Sequence, residues 1–189
     1  MRKLKVFLAV LLASLSLHVH PSEIDSLLRE LDMSIRNRPQ YTLKRQEQID
    51  ALQRKLRLSH SDQERYDLYR ELFGKYRSYR MDSALWVANQ RVELAKRMKN
   101  PLYIRSAELN IAEVMIGVAM YKEGLEILDG IKSADLDASG VSYYYYQYHQ
   151  VYTLMADYAF SDQMKEHYRG LAYQYKDCLL YTSPSPRDA

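Results

Sequence analysis

Between Ser22 and Asp177 apolar residues recur with a helical period almost throughout. Ile24, Leu27, Leu28, Leu31 and Ile35 form one stripe, and Asn37-Arg38-Pro39 is expected to end that helix, because a residue before proline avoids the α region. A second helix is predicted from about Tyr41 to Leu58 on the stripe Ile49, Leu52, Leu56; its other faces are polar. Ser61 and Glu64 have capping-box spacing and should open a third helix carrying Tyr66, Tyr69, Leu72, Phe73, Tyr76 and Tyr79. Asp82 or Ser83 should cap a fourth, on Ala84, Leu85, Ala88, Val92, Ala95 and Met98. Asn100-Pro101 should separate it from a fifth helix running to about Gly117. A turn at Ala119-Met120 leads to a sixth, Tyr121 to Ile131, and Ser133–Gly140 reads as a loop. A seventh helix is predicted over about Val141–Tyr158 and an eighth over Asp162–Asp177. Period-two alternation is never sustained, so no sheet is expected.

Helices of this length joined by short turns suggest repeats. Within Arg105–Ala138, the residues Ile111, Ala112, Met115, Tyr121, Gly124, Leu128 and Ile131 fit the tetratricopeptide pattern. Small residues at Ala112 and Gly124 would let two helices approach closely. Tyr121 would brace the turn, and Leu128 would fill the groove to the next hairpin. A looser unit precedes it, with Ala88 and Ala95 as its small residues, and a degenerate one spans Tyr143–Tyr175. The expected fold is all-α: stacked helical hairpins in a tetratricopeptide-like α-solenoid over residues 21–177. An irregular helical bundle is the alternative.

The ends read differently. Met1-Arg2-Lys3-Leu4-Lys5 followed by an apolar run to Leu17 has the form of a secretory signal peptide over residues 1–20, cut between Ser16 and Ser22; an uncleaved anchor is the alternative. From Cys178 to Ala189 the helical pattern breaks off, and the stretch can be encoded by a transposon-type sequencing adapter read in frame. The native chain is therefore expected to differ after about Asp177. Without these ends, 27 basic residues lose four and 24 acidic residues lose one, leaving 23 of each. The basic balance thus belongs to the leader and is no sign of nucleic-acid binding. The sole cysteine, Cys178, lies in the discounted tail, so the body must rest on its core.

Several segments together resemble a family of Bacteroidota membrane regulators. They are Ser22-Glu23-Ile24-Asp25-Ser26-Leu27-Leu28, Arg38-Pro39-Gln40-Tyr41, Asp82-Ser83-Ala84-Leu85, Met120-Tyr121-Lys122-Glu123-Gly124-Leu125, the Tyr143–Tyr148 run and Ala156-Asp157-Tyr158. The resemblance covers residues 22 to about 177. It implies an exported tetratricopeptide-like sensor region that precedes a transmembrane helix and a LuxR-like helix-turn-helix domain. Neither of those is found in this sequence, so the resemblance implies a fragment. A free-standing periplasmic scaffold is the competing reading. The partner would be a protein, peptide or glycan in the envelope.

The chemistry of the side chains points the same way. There are eighteen tyrosines against three phenylalanines and one tryptophan. Tyr143 to Tyr146 span more than one helical turn and cannot all face one core. Tyr76, Arg77, Tyr143 and Tyr146 are the candidate lining of a ligand or partner groove, since exposed aromatics mark binding surfaces. Trp86, Met115 and Met120 are assigned to packing. HExxH, paired cysteines, GxSxG, a P-loop and GxGxxG are all missing from the sequence, so no metal, cofactor or enzymatic reaction is expected.

Overall fold

The computed structural model describes residues 21–182. The leader reading (1–20) and the end of the tail (183–189) lie outside the described residues. Every regular element described is helical: α1 (Pro21–Leu58), α2 (Asp62–Tyr76), α3 (Met81–Arg97), α4 (Pro101–Gly117), α5 (Tyr121–Asp129), a 3-10 turn (Ser133–Asp135), α6 (Ala138–Asp157) and α7 (Asp162–Thr182). The chain divides into two compact units, one ending at Glu47 and one beginning at Gln48.

In the first unit the stripe Ile24, Leu27, Leu28, Leu31, Ile35 is helical but unburied, each residue more than half exposed. The expected break at Pro39 does not occur: α1 passes through it. Proline removes one helical donor and crowds the preceding turn. Here the neighbouring side chains are exposed, so water can satisfy the freed carbonyl of Ile35, and strong helix formers from Leu43 to Gln48 continue the helix.

The second unit is a solenoid of three helical hairpins, α2–α3, α4–α5 and α6–α7, with α3 packed on α4 and α4 on α6. The end of α1 closes one side, burying Ile49 and Leu52 among Leu68, Leu72, Phe73, Tyr76 and Val87. Alanines at 84, 88, 95, 107 and 112 are fully buried and let the helix backbones come close. At Gly124 an added Cβ would sit 2.8 Å from Ile116 Cγ1 and 3.6 Å from the Ala112 carbonyl. Tyr121 and the fully buried Leu128 pack with Leu109, Ala112 and Ile116 in the cluster that joins α4, α5 and α6.

Turn chemistry fixes the boundaries. The Ser61 hydroxyl accepts from the Glu64 N–H at 3.1 Å, while the Glu64 carboxylate takes the Ser59 hydroxyl at 2.9 Å. Asn100 accepts from the Tyr103 N–H at 3.2 Å, with Pro101 in the first turn and Lys99 before it in the left-handed region (φ 52°). The cap of α3 is Arg80, two or three residues earlier than expected, and it makes no side-chain cap bond. The Ser133–Gly140 loop is shorter than its sequence suggests: Asp137 accepts from the Gly140 N–H at 2.7 Å and starts α6 at Ala138. The last helix continues past Asp177 and Cys178 to Thr182, so the helical pattern does not break there.

Candidate functional site

The first helices of the hairpins, α2, α4 and α6, line one groove of about 360 Å³. Its wall holds Tyr66, Arg70 and Phe73 from α2, Arg77 from the turn that follows it, Tyr103, Ser106 and Asn110 from α4, and Tyr143 from α6. Arg91 reaches it from α3. A polar chain crosses the hairpins at this surface. Arg77 donates to Glu113 Oε1 at 3.0 Å, and the Tyr143 hydroxyl donates to the other oxygen of Glu113. Asn110 Nδ2 reaches the Tyr143 hydroxyl at 3.5 Å, and Arg91 Nη1 donates to Asn110 Oδ1. Burial, and then the Glu113 charge, push the Tyr143 hydroxyl far above the ordinary tyrosine range, so it stays a donor.

Arg91 is the unusual member. It is 1 % exposed, its guanidinium lies 4.4 Å from the centre of the Tyr66 ring, and its Nε has no hydrogen-bond partner. Burial pulls its pKa below the ordinary guanidinium value, the Tyr66 hydroxyl opposes this, and nearby Arg70 lowers it further. Tyr66 is itself fixed by stacking on Tyr103 (4.5 Å between rings) and by donating to the Tyr103 carbonyl at 2.9 Å. Gln147 is fully buried and ties α6 to α4 by donating to the Leu109 carbonyl at 2.9 Å.

Of the four residues marked as groove candidates, Arg77 and Tyr143 meet through Glu113. Tyr76 faces elsewhere: it is 6 % exposed, accepts from Gln53, and lines a second cavity with Leu56, Arg80 and Trp86. Tyr146 is 46 % exposed and is not part of the groove wall. Tyr144 and Tyr145 are half-buried, so one member of the four-tyrosine run projects outward.

Two assignments to packing are corrected. Trp86 is 55 % exposed, edge-on to Tyr69 at 5.8 Å. The buried face of α3 runs through Ala84, Ala88, Arg91 and Ala95, which puts position 86 on the opposite side with Asn89 and Glu93. Met120 is 43 % exposed because it caps α5 instead of lying inside a helix; Met115 is half-buried.

Sequence reasoning missed Arg91, Asn110, Glu113 and Gln147. A signal for three of them was present. Arg91 falls on the stripe 84–88–91–95, Asn110 on 103–107–110–114, and Gln147 on 144–147–151, so each interrupts an apolar face at helical spacing. Polar groups on a buried face require partners, and such interruptions mark where those partners must be sought.

Among the described residues no group of three or more His, Cys, Asp or Glu side chains could hold a metal ion, and no helix is long and apolar enough to cross a membrane. Helical hairpins whose first helices share a groove are the architecture of a tetratricopeptide repeat (TPR) region, a class of scaffold for protein interaction. The chain belongs to the family described as the SusR N-terminal TPR domain, which it matches over residues 35–188. Comparison with curated proteins and with solved structures found no match.

Proposed function

We propose that this chain is the exported, ligand-sensing part of a membrane-bound transcriptional regulator, and that the groove on α2, α4 and α6 is where it meets its partner. The observation that carries the reading is the Arg77–Glu113–Tyr143–Asn110–Arg91 chain, which couples side chains of all three hairpins at one surface. A partner seated there touches every hairpin at once. In a stacked repeat each unit packs only on its neighbours, so a small change in angle between hairpins is carried along the stack as a rigid-body motion. A membrane helix beyond this region would receive that motion and pass it to a DNA-binding half on the other side. The partner is a protein or peptide in the envelope, and the region lies on the periplasmic side of the inner membrane. Family membership and the resemblance to Bacteroidota regulators support this reading.

The test is the gene itself. A full-length genomic read should show the leader in frame and, after the repeat region, about twenty apolar residues followed by a helix-turn-helix pattern. A natural stop codon near Asp177 would instead select a free-standing periplasmic scaffold.

A further inference from the structure

We infer that the groove recognises an acidic peptide segment, and that Arg91 is the cation that selects it. This rests on the groove being the partner surface. A guanidinium taken out of water needs a counter-charge, and none of the acids around Arg91 provides one. Asp67 is engaged by Arg70 at 3.3 Å and by Gln63 at 2.9 Å. Asp137 caps α6, accepting from the Gly140 N–H and the Ser139 hydroxyl. Glu113 holds Arg77 and Tyr143. Arg91 itself is met by an amide oxygen and a ring face, both neutral, and its Nε is unpartnered. The groove therefore has one uncompensated buried positive charge in its floor and a second arginine, Arg70, largely exposed at its rim.

A carboxylate seated against Arg70, above the Arg91 guanidinium, would supply the missing charge, in a setting of low dielectric where the attraction between charges is strong. The remaining wall offers Leu102, 37 % exposed, as the apolar surface for a residue beside the acidic one, with the edges of Tyr66 and Phe73 behind it. Main-chain amides of a peptide would find the hydroxyls of Ser106 and Tyr143 within the same groove. An acidic residue next to an apolar one on an extended chain fits both halves of this surface.

The test titrates the full chain with a fluorescent pool of N-acetylated hexapeptides, degenerate except for an apolar residue followed by a C-terminal Glu with a free carboxylate. The matched control ends in Gln amide, and trigalacturonate presents carboxylates on a sugar. The acidic pool should bind saturably and the amide control at least about tenfold more weakly, as expected when a desolvated charge loses its partner. Arg70→Gln should weaken binding about two- to fivefold, the range of an exposed ion pair. Arg91→Gln should weaken it at least about thirtyfold while the chain still unfolds in one cooperative transition; the shorter side chain stops two bonds short of Asn110 and leaves the Tyr66 ring, so a lower melting temperature is expected. Loss of binding accompanied by loss of the cooperative unfolding transition in Arg91→Gln would assign Arg91 to folding and overturn the inference. Equal binding of the two pools, or binding of trigalacturonate alone, would also overturn it. Equal binding that Tyr143→Phe weakens would leave the groove as the partner surface, whereas no binding of any pool would count against both.

Discussion

At the scale of single residues, the hairpin α4–α5 is set by absent atoms. Gly124 faces Ile116, itself 2 % exposed, and an added methyl would lie 2.8 Å from a side chain with no room to swing away. Gly124→Ala should therefore lower stability by about 1–3 kcal/mol, the usual cost of overpacking, despite the better helix propensity of alanine. Gly170 in α7 has nothing within 4 Å of the same position. There the propensity term acts alone, and Gly170→Ala should raise stability by about 0.5–1 kcal/mol. Urea unfolding of the two variants gives opposite shifts in midpoint; a shared sign would refute close approach as the reason for Gly124. The same scale shows what could be read beforehand. Ala112 and Gly124 stand out because small residues at repeat spacing mean contact between backbones. Arg91 is not legible in this way, because a charged residue among alanines reads in sequence as a solvated position, and only its burial reveals that it belongs to the floor of a groove.

At the scale of elements, two local devices carry different weights. Asn100 serves two helices: its backbone N–H donates to the Ala95 carbonyl at 3.1 Å where α3 ends, and its side chain satisfies the Tyr103 N–H where α4 begins. Asn100→Ala should cost about 1 kcal/mol, and Asn100→Asp or Asn100→Ser should restore most of it, measured by thermal unfolding. Such caps are legible in sequence because the chemistry is confined to four residues. Pro39 shows the limit of that legibility, since whether a helix stops at a proline depends on what surrounds the freed carbonyl. The hairpin α6–α7 depends on rings instead of caps. Tyr148 and Tyr175 stack at 4.4 Å, Tyr152 lies 5.8 Å from Tyr175, and the Tyr148 hydroxyl donates to Asp129 at 2.5 Å. Burial, and then the neighbouring Tyr152, push the Tyr175 hydroxyl up to about 12 from an ordinary value of 10.0. Burial and the Asp129 bond hold Tyr148 higher still. A hydroxyl whose pKa is raised by folding favours the folded state below the unfolded value, and that contribution disappears as pH climbs through the folded value. Stability should therefore be level up to about pH 10 and fall towards pH 12. Followed together, tyrosinate absorbance and helical circular dichroism should change in one transition for these residues. Tyrosinate appearing in full while the helices persist would show that the ladder is open to water.

At the scale of the whole molecule, the question is which part of the chain holds its own core. From Gln48 onward the three hairpins and the end of α1 bury Ile49, Leu72, Leu109, Leu128 and Val151 to 2 % exposure or less. In the unit that ends at Glu47, Ile24, Leu27, Leu28, Leu31 and Ile35 remain 53–60 % exposed, and Tyr41 and Leu43 about as much. A stripe left in water contributes almost nothing to folding, because hydrophobic stabilisation scales with the area removed from solvent. The sequence pattern alone could not distinguish these cases: periodicity shows which face of a helix is apolar, whereas burial needs a neighbour that periodicity does not name. A chain beginning at Gln48 should accordingly unfold in one cooperative transition, with a melting temperature within about 2 °C of the longer protein, a shift worth under about 1 kcal/mol in a domain of this size. Scanning calorimetry of both chains decides it. A drop of ten degrees, or loss of cooperativity, would mean that Ile24 to Ile35 contribute a packed surface after all, and the helical repeat would then have to be redrawn as beginning at Pro21.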